Sequence, residues 1–190
     1  MNNPEEQIEM ISKMINSTKE KLKPLSVNFI FWGSLIVGMS LIHYIFPLFI
    51  QSTKYSSLLF WTVLPIIGMI FTVFYNIKVQ KTTGYETHLG RVIKIIWGVF
   101  NLSWLLTIII SILIDVNPVP DILFLLSVTL LITGLIIKFK PIIIGGLLLM
   151  LFIVYINYNP SINFLLVNII GISLGMLIPG ITLYKSKVDE

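Results

Sequence analysis

Four side chains with polar groups, those of His43, Asn101, Trp104 and Asn168, interrupt long apolar stretches of this 190-residue sequence. A polar group in lipid is costly, so we expect each of them to point into a bundle of helices. His43 is the best candidate for chemistry, because an imidazole changes its charge near pH ~6.5. Two interpretations are open. The four side chains line a small ligand-binding cavity, or they form hydrogen bonds between helices worth about 0.6 kcal/mol each.

Other residues that commonly perform chemistry inside a membrane are missing from the sequence. No Asp or Glu lies deep within a predicted span, and proton-coupled pumps commonly rely on such a carboxylate. His43 and His88 are predicted on opposite sides of the membrane and there is no Cys, so a His or thiolate metal site is not expected. We therefore predict no catalytic residue, no metal and no cofactor, and a protein that is not an enzyme.

The elements that must position these side chains are long apolar segments. Hydrophobic residues make up 56% of the chain and charged residues 12%, whereas a soluble domain is roughly half apolar and a quarter charged. Crossing a hydrocarbon core of about 30 Å takes about 20 apolar residues. The predicted spans cover residues 28–50, 57–77, 95–114, 119–137, 139–156 and 162–183. The predicted fold class is all-α: a polytopic membrane protein with a six-transmembrane-helix bundle over 28–184.

The fourth and fifth predicted spans are divided by the short sequence Lys138-Phe139-Lys140-Pro141. A re-entrant hairpin is the alternative interpretation for this pair. It would place Lys138 and Lys140 at mid-membrane depth, at a cost of about 2.5–3.5 kcal/mol each. Two full spans joined by a short turn are favoured, because the lysines then reach the headgroups.

The distribution of positive charge predicts the orientation of the chain. If the N-terminus is cytoplasmic, twelve of the thirteen Lys and Arg residues are cytoplasmic, and Lys54 alone is outside. The positive-inside rule therefore predicts that both termini, including a tail over 185–190, are cytoplasmic. Together with an Ile-, Asn- and Lys-rich composition, this predicts a multi-pass protein of a bacterial inner (cell) membrane. The same distribution argues against a nucleic-acid partner, despite the net charge of +4.

The N-terminal segment, residues 1–27, has the pattern of an amphipathic cytoplasmic helix. Its apolar positions recur at helical spacing at Ile8, Ile11, Ile15 and Leu22, and we expect the helix to end near Pro24. One interpretation is that this stripe lies on the membrane surface or packs on the inner loops. The other is that Ile8, Ile11 and Ile15 dock a partner protein.

A small-residue motif occurs in the sixth predicted span. Gly171 and Gly175 form a GxxxG pattern, which lets two helix backbones approach closely. We expect these glycines to pack against another helix of the same chain. A homo-oligomer formed through the same motif is the alternative.

The opening of the chain resembles a loose group of small uncharacterised multi-span bacterial membrane proteins. The residues that carry this resemblance, within the first fifth of the chain, are Ile8, Ile11, Met14, Ile15, Lys21, Leu22 and the segment Phe29-Ile30-Phe31-Trp32-Gly33. The resemblance implies no site residues, and it favours an accessory or regulatory role over catalysis.

Two functions are therefore expected. The first is a non-enzymatic accessory or regulatory protein that acts by helix packing and by docking to a partner or to the inner leaflet of the lipid bilayer. The alternative is a small transporter or channel-like carrier for a small solute, lined by His43, Asn101, Trp104 and Asn168.

Overall fold

The computed structural model describes residues 4–53, 55–83, 88–159 and 161–186, and within these ranges it describes side chains from Lys23 onward, except at 82 and 83. All regular secondary structure in these ranges is helical. The helices are α1 (Pro4–Ile45), α2 (Pro47–Ile50), α3 (Ser56–Thr83), α4 (His88–Ile114), α5 (Val119–Ile137), α6 (Lys140–Tyr158), α7 (Phe164–Ile172) and α8 (Ile178–Lys185). A π-helical turn, Ser173–Leu177, joins α7 to α8.

Six helical stretches in the described ranges are long and apolar enough to cross a membrane. They are Lys23–Ile45, Ser56–Lys81, His88–Ile114, Val119–Ile137, Lys140–Tyr158 and Phe164–Lys185, and we call them the first to sixth spans. The sixth span comprises α7, the π turn and α8. The predicted fold class, an all-α polytopic bundle with six spans, is confirmed.

The N-terminal helix does not end where the sequence predicted. The predicted end near Pro24 is wrong, because α1 is one helix of 42 residues that runs through this proline into the first span. Helices at membrane depth tolerate proline where neighbouring groups satisfy the freed backbone. Leu25 and Ser26, which follow Pro24, are buried in the bundle. We attribute the continuity to this packing, which favours the helix over the local preference of proline to end it.

The fourth and fifth spans form an antiparallel hairpin of two complete helices. Each contains 19 residues, a length of about 28 Å at about 1.5 Å per residue. Lys138 ends α5 in the left-handed conformation (φ 55°, ψ 40°), and its N–H bonds to the carbonyl oxygens of Gly134 and Leu135. Lys138 and Lys140 are both exposed at the turn. This geometry agrees with the two-span prediction rather than with a re-entrant hairpin.

The centre of the bundle is built by the sixth span, which packs against α1 on one side and α6 on the other, and by α5, which packs against α6. Its most buried side chains include Phe29, Leu130, Ile142 and Leu149. The two remaining spans are peripheral: α3 packs along α1, and α4 packs along α5. These two spans therefore present most of their surface to lipid.

Consecutive spans run in opposite directions, so the start of the first span, the end of α3, the start of α4, the α5–α6 turn and the end of α8 lie at one end of the bundle. We call this the basic end. Its described basic side chains are Lys23, Lys78, Lys81, Arg91, Lys94, Lys138, Lys140 and Lys185. Asp115 and Asp121 lie at the opposite end.

Candidate functional site

His43 lies near the end of α1 that is opposite the basic end, where it bonds to two other elements. Its side chain is buried, with 7% of its surface exposed. The Nδ1 atom accepts a hydrogen bond from Trp61 Nε1–H of α3 at 3.0 Å. The amide of Gln51, in the connection after α2, lies 3.2 Å from Nε2. His43 therefore ties the first span to the second at this end of the bundle.

The bond from Trp61 favours a neutral imidazole with its hydrogen on Nε2. An indole N–H is a donor only, so Nδ1 of His43 must be unprotonated to accept the bond from Trp61. A neutral ring then carries its hydrogen on Nε2 and donates it, so the Gln51 amide, whose nitrogen Nε2 is the atom placed 3.2 Å from the ring, must be turned to present its oxygen. The orientation of a glutamine amide is assigned from such a network. A protonated His43 would have donors at both nitrogens and would lose the bond to Trp61.

Two further hydrogen bonds join the same pair of helices. Asn28 Nδ2–H donates to Asn76 Oδ1 at 3.1 Å, and Trp32 Nε1–H donates to Thr72 Oγ1 at 3.0 Å. Thr72 in turn donates to the carbonyl oxygen of Gly68, one turn earlier in α3. We call these two interhelical bonds, together with the contacts of His43 to Trp61 and Gln51, the α1–α3 seam.

The local sequence explains why the seam forms. On α3, one face presents Trp61, Pro65, Gly68, Thr72 and Asn76, which recur every three or four residues. Gly68 and Pro65 are buried, and a Cβ atom placed on Gly68 would lie 2.9 Å from Cδ2 of Leu35. The small glycine thus allows α1 to approach closely enough for the polar side chains to meet.

The other predicted ligand-binding residues lie on different helices from His43. Asn101 and Trp104 are both on α4, and Asn168 is on α7, which packs against α1 and α6. Trp104 and Asn168 are buried, with 8% and 7% of their surfaces exposed, and Asn101 is half-buried. α4 makes little contact with α3 or with α7 in the described part of the chain. The structure therefore brings Asn101 and Trp104 together but does not bring them to His43 or Asn168.

None of these four residues lines either of two apolar grooves on the described surface of the bundle. One, of about 250 Å³, lies between α6 and α7 and is lined by Leu148, Leu149, Leu151, Phe152, Tyr155, Gly171 and Leu174. The other, of about 210 Å³, is lined by Val27, Ile30, Phe31 and Tyr184. Among the described residues, no group of three or more His, Cys, Asp or Glu is placed to hold a metal ion.

The predicted packing glycines both face α6. A Cβ atom on Gly171 would lie 2.9 Å from Cδ1 of Leu149. A Cβ atom on Gly145 of α6 would lie 2.8 Å from the carbonyl oxygen of Gly175. Gly175 lies in the π turn, where the N–H of Ile178 bonds to the carbonyl oxygen of Ser173. Within this chain, the two glycines of the GxxxG motif therefore allow the fifth and sixth spans to pack closely.

The predicted docking residues Ile8, Ile11 and Ile15 have side chains outside the part of the chain whose side chains are described. The backbone at these positions is helical and belongs to α1. Their docking role stays a prediction.

Sequence reasoning missed most of the seam. Asn28, Gln51, Trp61, Thr72 and Asn76 all take part, although none was a candidate residue. A signal was present, since Asn28, Trp32 and His43 lie on one side of α1, and Trp61, Thr72 and Asn76 on one side of α3. Which two polar faces meet is a tertiary property that spacing within one helix does not reveal.

Comparison with known proteins assigns the chain to no family: no family model matches the sequence, and no curated protein or solved structure is detectably similar to it. The resemblance of the opening segment to small multi-span bacterial proteins therefore stays a prediction. The functional argument depends on the geometry of the bundle.

Proposed function

We propose that this protein is a non-enzymatic accessory or regulatory protein of a bacterial inner membrane, in which α1 links the transmembrane bundle to a helix of a cytoplasmic partner protein. The observation that carries the proposal is the continuity of α1 from Pro4 to Ile45. A helix of 42 residues is about 63 Å long at about 1.5 Å per residue, roughly twice the thickness of a hydrocarbon core. One half of α1 spans the membrane and the other half extends beyond it.

The charge distribution supports a cytoplasmic location for this extension. The extension leaves the bundle at the basic end, where the described Lys and Arg side chains collect. Lys and Arg are enriched in cytoplasmic loops near the ends of membrane helices. We therefore assign the basic end, and with it both termini, to the cytoplasm.

The apolar stripe of the extension is in register with the buried face of the first span. Ile8, Ile15, Leu22 and Phe29 are spaced by seven residues, and a straight helix drifts only about 20° over each such interval. Phe29 is 1% exposed and packs against Trp97 with ring centroids 5.5 Å apart. A partner on this face would act on the same continuous helix that packs in the centre of the bundle, which is a physical route for regulation.

Continuity also favours a protein partner over the inner leaflet. An amphipathic helix that binds lipid lies in the plane of the interface. To lie in that plane, α1 would have to bend sharply where the extension meets the first span, near Pro24. Instead, α1 is one continuous helix through Pro24. A helix that continues away from the membrane instead offers anchors at i, i+3 and i+7, the spacing by which a helix docks in the groove of another protein.

A carrier lined by the four polar residues has less support. His43 is bonded to Trp61 and Gln51, while Asn101 and Trp104 lie on a span that packs mainly on α5. A polar pathway through the bundle would require these groups to share one space.

Site-specific photocross-linking in native membranes tests the proposal. A photoreactive residue at Ile11 is expected to form a cross-link with a single partner protein, because this position is at the centre of the apolar stripe. The same residue at Lys13, on the opposite face of the helix, is expected to form little or none. Identification of the cross-linked peptide by mass spectrometry then shows whether the partner contributes a helix.

A matched pair of triple variants provides the control. Ile8→Gln, Ile11→Gln and Ile15→Gln together should abolish the cross-link and release the partner during purification. Glu9→Gln, Lys13→Gln and Asn16→Gln introduce the same residues on the other face without changing net charge, and should leave both intact. Cross-links only to lipid, only to a second copy of this chain, or equal from both faces would overturn the proposal.

A further inference from the structure

The basic ends of α3 and α4 bring three cations to one place. Lys94 Nζ of α4 donates a hydrogen bond to Gln80 Oε1 of α3 at 2.8 Å, which joins the two helices there. Lys81 follows Gln80, and Arg91 lies one turn before Lys94; all three basic side chains are exposed. Neither α3 nor α4 contains an Asp or Glu. Glu86, in the connection outside the described residues, is the one acid between Lys78 and Lys94, so this segment carries four cations against one acid and has a local excess of positive charge.

Below this contact, α3 and α4 each approach one of two neighbouring residues of α1. Asn28 of α1 bonds to Asn76 of α3, while its neighbour Phe29 contacts Trp97 of α4. The two outer helices make little direct contact with each other in the described part of the chain. They therefore form the walls of a cleft that has α1 as its floor and is open to lipid.

Two residues on α4 show that the cleft contains open space and a side-chain amide without a hydrogen-bond partner. Gly98 lies one turn below Lys94, and a Cβ atom placed on it would meet no atom within 4 Å. Asn101 lies seven residues, or two turns, from Lys94 and thus on the same side of the helix. Its side chain is half-buried, and no hydrogen bond joins it to another described residue. An amide without a partner is costly in hydrocarbon, so a ligand with acceptor oxygens would stabilise it.

We propose that this cleft is a binding site for one anionic phospholipid. Its phosphate is held by Lys81, Arg91 and Lys94, its glycerol region passes over Gly98, and an ester oxygen accepts from the Asn101 amide. Its acyl chains lie along the walls of the cleft. Basic pockets between membrane helices bind anionic headgroups in this way. A lipid rather than free phosphate is the ligand, because only a lipid extends from the cations at the surface to an amide about 10 Å deeper along the helix.

Native mass spectrometry of the purified full-length protein, titrated with phosphatidylglycerol or with phosphatidylcholine, measures this binding. We expect one phosphatidylglycerol to bind well before any other lipid, and phosphatidylcholine to bind much more weakly. Each cation near a headgroup contributes roughly fivefold in affinity, so Lys81→Gln with Arg91→Gln should weaken the first binding step about 30-fold. Lys138→Gln with Lys140→Gln removes the same charge from the same end of the bundle and should change it less than about threefold.

A variant that fills the cleft without changing charge separates a site from general attraction. Gly98→Leu places a side chain in the open space, and replacing an exposed helical glycine should not impair folding. It is expected to reduce binding of the first phosphatidylglycerol to the level of later ones. Asn101→Leu is expected to weaken the first step but to leave selectivity for the anionic lipid unchanged.

Three results would overturn the proposal. If Lys138→Gln with Lys140→Gln weakened lipid binding as much as Lys81→Gln with Arg91→Gln, any cation at the basic end would be able to bind the headgroup. Unchanged binding in Gly98→Leu would show that the lipid does not enter the cleft. Displacement of phosphatidylglycerol by inorganic phosphate would show that the cations bind a free anion.

Discussion

The contact between the fifth and sixth spans provides a test of the packing described above, through Gly145→Ala. The added Cβ atom would lie 2.8 Å from the carbonyl oxygen of Gly175, about 0.6 Å closer than the 3.4 Å at which ordinary contact begins. It would also lie 3.0 Å from Cα of Gly175 and 3.1 Å from the carbonyl oxygen of Leu174. All three neighbours are backbone atoms, so no side chain can rotate away and the two helices must separate.

Separation of this helix pair is expected to lower the free energy of unfolding. Overpacking in a well-packed interior typically costs about 1–3 kcal/mol. Alanine also favours a helix over glycine by about 1 kcal/mol, which acts in the opposite direction. Gly98→Ala is the matched control, because a Cβ atom there meets no atom within 4 Å. The propensity gain is common to both variants, so their difference, about 1–3 kcal/mol, isolates the contact.

Equilibrium unfolding in mixed micelles, followed by circular dichroism, measures the free energy of unfolding of both variants. The midpoint denaturant concentration of Gly98→Ala should equal or exceed that of the natural sequence. The midpoint of Gly145→Ala should be lower than that of Gly98→Ala. Coincident unfolding curves for the two variants would refute the packing of Gly145 on Gly175. Such a result would also remove the basis for assigning the GxxxG motif to contact within the chain.

Two other predictions concern orientation and His43. The chain has no Cys, so Thr53→Cys should react with a membrane-impermeant maleimide in intact cells, while Ser186→Cys should react only after permeabilisation; the reverse pattern would contradict a cytoplasmic basic end. Protonation of His43 removes the acceptor for Trp61 Nε1–H, so the natural protein should lose stability at acid pH, with a change in tryptophan fluorescence. His43→Gln should show neither effect over the same range, and an identical acid response in this variant would contradict the assigned bond.

The α1–α3 seam also explains how a histidine is accommodated at membrane depth. Each nitrogen of the ring has a polar neighbour, Trp61 at one and Gln51 at the other. Interhelical hydrogen bonds of this kind contribute about 0.6 kcal/mol each. With Asn28–Asn76 and Trp32–Thr72, they fix the register of a peripheral span that packs against few other helices.

The number of spans and the class of protein were determined by the sequence itself. Apolar length and the positions of Lys and Arg are local properties, and lipid as a solvent makes them decisive, since about 20 apolar residues suffice to cross it. This is why the fourth and fifth spans could be predicted as a hairpin across only Lys138-Phe139-Lys140. It also explains why the observed helices differ from the predicted spans by several residues at their ends. For example, α4 begins at His88 rather than at residue 95, because the helix continues beyond the apolar segment into the polar surface region.

Only the tertiary structure decided which faces meet. Lipid is as apolar as leucine, so hydropathy does not distinguish a face that packs on another helix from one that faces the bilayer. Asn28, Thr72 and Asn76 became a seam because Gly68 lets two backbones approach, and Asn101 was separated from His43 because α4 packs on α5. Likewise, α1 runs through Pro24 because buried neighbours stabilise a helix that the local sequence alone would have ended.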